Sequence, residues 1–509
     1  MLINGRQLDP DAIIVADICI VGTGMGALSV ASRLVHAKMD VLLVEAGPIK
    51  ASRRSHPVIH TENVGRRFGI STSRGLEAGG GTAFWHGVCA PLDKEDFLER
   101  PWIAHSGWPI RHAELAPWYS QARKFLGIDD NPQPLAQQSN SFFPASGVLN
   151  AKPYQYRSSP FRGKELLLEW CRQGRARCIY HSTALQLLQK NGKAHSLLAG
   201  SAGKLFRVVA KRFVIAAGAL ETPRLMLNTL RQGDAPAPSW WLGRNLIDHP
   251  AGYLSQVRFT KPFDDRTGCA DDAGTAAWTI RGLMLKDEVQ RTHRLPNHAV
   301  FIRKGMNGLP VPNQAMMSFL GLRGPQDVAL RHLAALFRHP YILWRIAHQK
   351  LPLRASSRYG DLFFMTEQLP NPLSRVSLSA QTEDEFGFPV ARIDWRLSEQ
   401  DRTMFAAYHA LLMASLNGDK SVHSLRADPL SSWEATVTSA AHHLGTARMG
   451  ATAKDGVVDR DLKVYGFDNV WIGDGSVFPT AGSVNPSLTI CALGHRLGTY
   501  LVQKPLWQA

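Results

Sequence analysis

Residues 16–47, ADICIVGTGMGALSVASRLVHAKMDVLLVEAG, leave this part of the chain little choice of fold. Ile18–Val21 is continuously apolar, as a strand buried on both faces must be. Gly22, Gly24 and Gly26 follow at once, and Leu28, Ala31, Leu34 and Val35 then recur at helical spacing. A second apolar run, Val41–Val44, ends at Glu45. Strand, tight turn, helix, strand and terminal acid together predict a Rossmann-like α/β unit that binds a nucleotide. The glycines let the backbone approach a pyrophosphate, which sits at a helix N-terminus where N–H groups point outward. Ala27, a small residue, fills the third position of the fingerprint. Glu45 stands where a carboxylate accepts hydrogen bonds from a ribose, and its charge disfavours a 2′-phosphate and hence NADP.

A chain of 509 residues is long enough for two or three domains, or for one large two-domain enzyme. The N-terminus has acids before its apolar run and no small-residue cleavage site, so no signal peptide is expected. No apolar run approaches the ~20 residues of a spanning helix. A cytoplasmic location is therefore expected. The six cysteines (Cys19, Cys89, Cys171, Cys178, Cys269 and Cys491) include no CxxC pair, which argues against zinc or an iron–sulfur cluster. They are expected to be reduced, mostly buried thiols, with Cys171 and Cys178 unbridged. The formal charge of +16 favours anionic partners. No zinc finger, basic zipper or RNP-like stretch accompanies it, so no nucleic-acid partner and no metal is expected.

Further motifs lie along the rest of the chain. RGLEAGGGTAFWHGVCAPL at 74–92 supplies a glycine loop, with Gly80, Gly81, Thr82 and Trp85, that can lie close to a flat ring. RFVIAAGALETPRLMLN at 212–228 reads as strand, glycine turn at Ala217 and Gly218, and helix, with Pro223 in the first turn. NLIDHP at 245–250, HHLGTARMG at 442–450 and GDGSVFPT with NPSLTI near the end complete the series. In this order the motifs resemble those of the GMC (glucose–methanol–choline) oxidoreductase family, and they run from residue 16 to residue 502. FWHGVCAPLDKEDF, SGWPIRHAELAPWY and EQLPNPLSRVSLS are most similar to the bacterial sugar-related and pyranose-oxidase-like members.

The resemblance implies FAD. It implies that Asp474, beside Gly475, hydrogen-bonds the ribityl or pyrophosphate side of that cofactor. Some family members attach FAD covalently through a histidine of the glycine loop. Phe84 aligns with that position, so non-covalent FAD is expected, although His86 stands two residues on.

Alone, His442 and His443 read first as core residues, then as metal ligands, and only last as a base. The resemblance assigns His442, three residues before Gly445, as catalytic base and Asn485 as its partner, with Asn485 and Pro486 also beside the cofactor. The family usually has proline where this chain has His443. A neutral imidazole can take the hydroxyl proton as hydride leaves the carbon, so the rate is expected to rise with pH across about pH 5 to 8. Asn485 can donate a hydrogen bond to the developing alkoxide. Asn485 and Pro486 also read as cap and first residue of a closing helix. The implied reaction is oxidation of a small-molecule alcohol, sugar-like or another secondary metabolite. A lyase of cyanohydrin type and a redox-inactive flavin-binding protein are the alternatives. The electron acceptor is left open among oxygen, quinone and a protein.

The expected architecture is an FAD-binding domain (1–110, 165–260 and 436–509), a connecting or lid segment (111–164) and an α+β substrate domain with a largely antiparallel sheet (261–435). Glu367 and Gln368, after a strand in that domain, are candidate substrate contacts, with an ordinary exposed strand end as the bland alternative. Val328–Gly360 contains no acid, and Arg331, Arg338 and Arg345 are spaced by seven, beside an apolar face of Leu330, Leu333, Ala334 and Phe337. This segment (328–358) is expected to be either a lid or a peripheral contact with the inner face of an anionic membrane, where quinone would become a plausible acceptor.

Overall fold

The run Ile18–Val21 belongs to a strand, Ile13–Val21, at the centre of a parallel sheet. It pairs with Val41–Val44 on one side and Lys204–Ile215 on the other. Beyond Val41–Val44 come Arg177–Tyr180 and Leu2–Asn4. Val470–Ile472 pairs with the C-terminal end of Lys204–Ile215. Ile18–Val21 and Val41–Val44 are buried throughout, which is why both are uniformly apolar. The first half of Lys204–Ile215 instead pairs antiparallel with Lys193–Ser201, and Lys193–Ser201 with Thr183–Lys190. Burial there alternates residue by residue, as for a sheet with one wet face. The computed structural model describes residues 1–50, 61–66, 74–128, 147–157, 160–263, 277–305, 330–338, 357–427 and 433–505.

Helix Ser487–Gln503 lies against helix Met25–His36. Glycines let the two come close: a Cβ on Gly494 would lie 2.7 Å from Ser29 Cβ. Helix His112–Leu126 packs on Ser487–Gln503 from another side, with Tyr119 Oη 3.1 Å from Thr489 Oγ1.

A second sheet is antiparallel. Its order is Val422–Ala427, Pro250–Phe263, Ser357–Met365, Ala299–Lys304, Ala277–Leu285, Leu149–Arg157 and Val88–Cys89. Helix Glu399–Asn417, started by a Ser398–Asp401 capping box, contributes Phe405, Tyr408 and Leu412 to the core on this sheet. Arg375–Glu383, Pro389–Asp394 and Thr61–Asn63 form a small third sheet.

The expected domain boundaries differ from this arrangement. Val88–Cys89, Leu149–Arg157 and the start of Pro250–Phe263 all join the antiparallel sheet, although 1–110, 111–164 and 165–260 are expected outside the substrate domain. Helix His112–Leu126, expected in the lid, packs on the nucleotide half instead. Pairing between strands far apart in sequence leaves no local sign of which sheet a strand joins, so spacing alone could not draw these borders.

Of the basic segment, helix Leu330–Arg338 is described, with Leu330 84% and Phe337 91% exposed. Most of its remainder, and Cys269, lie outside the described residues. Among the described residues, no helix is long and apolar enough to cross a membrane. The thiols of Cys19, Cys89, Cys171, Cys178 and Cys491 are free and buried.

Candidate active site

Three helices begin at the C-terminal ends of the parallel strands, none capped by its own N-cap side chain: Met25–His36 after Gly24, Gly218–Thr229 after Ala217, whose first N–H is taken by Asp474, and Ser487–Gln503 after Pro486. Their first-turn N–H groups favour a negative charge at the helix mouth. Gly22 makes the turn, at φ +95°, and a Cβ there would lie 2.5 Å from Ala216 O. A Cβ on Gly24, Gly81 or Gly218 would meet nothing within 4 Å, so three separate loops border open space. Gly80 sits directly on the first loop, where its Cβ would be 3.0 Å from Gly24 Cα.

Gly26 and Ala27 behave differently from the expectation that they contact the cofactor. A Cβ on Gly26 would lie 2.1 Å from Gly473 O, so this glycine lets the helix pack on the strand end. Ala27 is fully buried in the hydrophobic core. The contrast yields a prediction. Gly24→Ala should leave the thermal midpoint of the cofactor-free protein unchanged while lowering the flavin retained on purification. Gly26→Ala should destabilise the fold itself by about 1–3 kcal/mol through overpacking. Equal thermal midpoints for the two variants would contradict this division of roles.

Glu45 is buried, accepting from the Thr23 hydroxyl and from Gly47 N–H at 2.8 Å. Burial, outweighing those bonds, pushes its carboxyl up to about 7. Additional hydroxyl donors, as on a ribose, would favour its ionised form. Thr23 Oγ1 also accepts from Gly79 N–H at 3.0 Å, tying the first turn, Glu45 and the glycine loop together. Sequence reasoning passed over Thr23 because its partners lie on two other segments.

Thr82 spends its hydroxyl on the protein, donating to Gly79 O at 2.7 Å and accepting from Gly163 N–H at 2.9 Å. Its part is to hold the loop. The Trp85 indole N–H is buried with no partner among the described residues, so the site has a donor to offer. Asp474 accepts from Gly218 N–H at 2.8 Å, the Thr222 hydroxyl at 2.6 Å and Ser476 N–H at 2.8 Å. It clasps two turns together beside the open loop at Gly218. Gly475 lets Leu444 approach, since a Cβ on it would lie 2.6 Å from Leu444 Cδ2. Taken together, the open glycine loops, the helix starts at Met25 and Ser487 without a capping side chain, Glu45 and the orphaned indole donor fit a dinucleotide with a pyrophosphate and a ribose.

The second half of the site joins three distant segments. His442 and Asn485 are partly exposed, and His442 Nε2 lies 3.2 Å from Asn485 Nδ2. Asn485 therefore does not cap the closing helix. Pro486 is the cap residue, with φ −74°, and the Asn485 side chain is directed at His442. His442 Nδ1 is 3.1 Å from His249 Nδ1, and His249 Nε2 is 3.0 Å from Gly482 O. Asp248 accepts from the backbone N–H of His249 at 2.6 Å and of His442 at 3.0 Å, and from the Ser439 hydroxyl. His443 Nε2 lies 3.7 Å from Asp248 Oδ2. Burial, then the neighbouring His249, His443 and His86, hold His442 well below the ordinary histidine range.

Residues 370–494 match the family model described as GMC oxidoreductase, covering its C-terminal domain. Residues 370–494 therefore carry the C-terminal domain of a GMC oxidoreductase. It is 24% identical to the 2-methyl-1,2-propanediol dehydrogenase of Mycolicibacterium austroafricanum, over 96% of this chain and 95% of that protein. It is 25% identical to the 6'''-hydroxyparomomycin C oxidase of Streptomyces lividus, over 95% of this chain and 90% of the relative. In fold it is similar to the pyridoxine 4-oxidase from Mesorbium loti, with a TM-score of 0.57 and 18% identity, across 96% of this chain and all of that one (100%). Like these relatives, this chain is an oxidoreductase.

Two expectations for this oxidoreductase change. Glu367 and Gln368 are neither substrate contacts nor an exposed strand end, being 1% and 0% exposed. Glu367 makes a bidentate pair with Arg100 at 2.6 and 2.8 Å, and Gln368 accepts from Asp248 N–H at 3.0 Å and Trp395 Nε1–H at 2.9 Å. Asp248 and His249, meanwhile, stand beside His442, and the signal that could have found them was NLIDHP itself, one of the motifs that carry the resemblance.

Proposed function

We propose that this oxidoreductase oxidises an alcohol CH–OH group of a small sugar-like or other secondary-metabolite substrate, with non-covalently bound FAD. The observation that carries the reading is the 3.2 Å approach of His442 Nε2 to Asn485 Nδ2 on a partly open face, beside an uncapped helix of 17 residues. FAD, when bound, supplies the hydride acceptor. Gly24, Gly81, Gly218 and Glu45 would hold its nucleotide part. His442, kept neutral by its surroundings, takes the hydroxyl proton at Nε2 as the C–H bond breaks. Asn485 Nδ2–H stabilises charge developing on the substrate oxygen. The names of the relatives, dehydrogenases and oxidases of hydroxyl compounds, support the same reaction class.

The test is anaerobic mixing of the flavin-loaded protein with a panel of sugars, polyols and simple alcohols. Bleaching of the flavin by at least one compound is expected. Product without bleaching would mark a lyase, and no response to any compound would mark a binding protein.

The pH dependence also differs from the rise expected across about pH 5 to 8. A histidine well below its ordinary pKa of ~6.5 is already neutral through that window. The limiting bleaching rate should therefore be nearly flat from about pH 6 to 8 and fall only in acid, as pH drops through the depressed pKa. A rate that climbs tenfold per unit between about pH 6 and 8 would show that His442 is not held neutral.

A further inference from the structure

The hydrogen-bond chain behind His442 fixes where its proton sits. A neutral imidazole carries one N–H and one lone pair. His249 is neutral, since burial lowers it to about 4. Its Nε2 faces Gly482 O at 3.0 Å, and a carbonyl can only accept, so the proton of His249 is on Nε2. Its Nδ1 then presents a lone pair to His442 Nδ1 at 3.1 Å. Two bare nitrogens would repel at that distance, so His442 must hold its proton on Nδ1 and donate it to His249. The ring planes are twisted by 84° about this contact, with centroids 5.1 Å apart. The far end agrees: His442 Nε2, left with its lone pair, meets the donor Asn485 Nδ2 at 3.2 Å. Turning the Asn485 amide over would bring its oxygen there, demand a proton on His442 Nε2, and leave two lone pairs facing each other between the imidazoles. One carboxylate, Asp248, fixes both backbones through N–H bonds of 2.6 and 3.0 Å.

We propose that His249 is a positioning residue for the proton-accepting step: it holds His442 in the Nδ1–H tautomer, so that the Nε2 lone pair, which accepts from Asn485 in the free protein, is the one offered to the substrate hydroxyl once the Asn485 N–H turns to the substrate oxygen. The inference rests on the reading of His442 as the base. In the step itself the substrate O–H proton passes to His442 Nε2 and the carbonyl forms, the hydride of the same carbon being the one a bound FAD would accept. His442 then carries both protons, and its Nδ1–H bond to His249 persists unchanged, so no reorganisation behind the base accompanies the transfer.

Asp248, His249 and His442 also offer three ligand atoms within 4.8 Å of one another, the spacing of a metal site. Against that, Asp248 Oδ1 already accepts from two backbone N–H groups and Oδ2 from Ser439. A metal would need both Nδ1 atoms bare, so the tautomer decides between the two.

The test compares His249→Leu, which removes the acceptor, with His249→Asn, which offers an amide oxygen near the former Nδ1 position. In the flavin-loaded protein with 15N-labelled histidine, the signals lost in His442→Ala should report a protonated Nδ1 and a bare Nε2. In His249→Leu they should become a mixture of tautomers. With the alcohol that bleaches wild type fastest, the limiting rate of His249→Leu should fall about 10- to 100-fold, as is usual on losing such an orienting partner. The half-saturating concentration should move by less than about twofold, and His249→Asn should recover most of the rate. A protonated Nε2 in the wild-type protein would overturn the proposal. So would a wild-type tautomer and rate in His249→Leu, or a stoichiometric transition metal lost on removing His249. Should His249→Leu fail to fold, the wild-type spectrum and His249→Asn still decide. Wild-type bleaching in His442→Ala would instead sink the base assignment, while the tautomer spectrum would stand apart from it.

Discussion

Replacing His442 with alanine is expected to slow anaerobic flavin bleaching by about 10²- to 10⁴-fold, the usual contribution of a positioned general base. Flavin content should stay near wild type, because the residues assigned to hold the cofactor (Gly24, Gly81, Gly218 and Glu45) are on other segments. His442 is partly exposed and makes two side-chain contacts, to His249 at 3.1 Å and Asn485 at 3.2 Å. Truncation therefore removes a proton acceptor without opening a cavity in the main core. An isolated alcohol is far too weak an acid to ionise near neutrality, so no other route to the proton should compensate. Rapid-mixing absorbance with the best alcohol of the panel measures the effect. A rate within about threefold of wild type would assign the proton to another group.

The largest effect on stability should come from Glu367→Ala. Glu367 and Arg100 are 1% and 3% exposed and joined by two hydrogen bonds of 2.6 and 2.8 Å. Burial raises the Glu367 carboxyl, but the Arg100 guanidinium outweighs it and holds the group below its ordinary value. Glu367 Oε2 also accepts from Asn297 N–H at 2.8 Å. Removing the carboxylate strands a buried guanidinium and a backbone donor, which typically costs about 3–5 kcal/mol. Urea unfolding of the flavin-free protein checks this. The paired replacement Arg100→Met with Glu367→Leu should recover most of the loss, because no charge is then left unpaired. If the single variant unfolds within about 1 kcal/mol of wild type, the pair is not the buried anchor its geometry implies.

Gly22, Gly24 and Glu45 were legible because the nucleotide unit is contiguous: strand, turn, helix and acid follow one another within 32 residues of sequence, 16–47. Gly26 and Ala27 matched that pattern, yet they pack against Gly473 and the core, a distinction that depends on which element lies behind the helix. Asn485 carried two readings, cap or partner of His442. Only the approach of the 442 segment, 43 residues earlier, separates them. Glu367 looked like a strand-end residue free to meet a ligand, because its partner Arg100 is 267 residues away.

By itself the sequence determined that this chain builds a dinucleotide-binding parallel unit, because the periodicity and the backbone needs of that unit are satisfied by neighbours along the chain. The tertiary structure alone decided that His249 stands behind His442 and that Asp248 anchors both. Those imidazoles are 193 residues apart, and a hydrogen bond that fixes a tautomer exists only once folding has brought its two ends within about 3 Å.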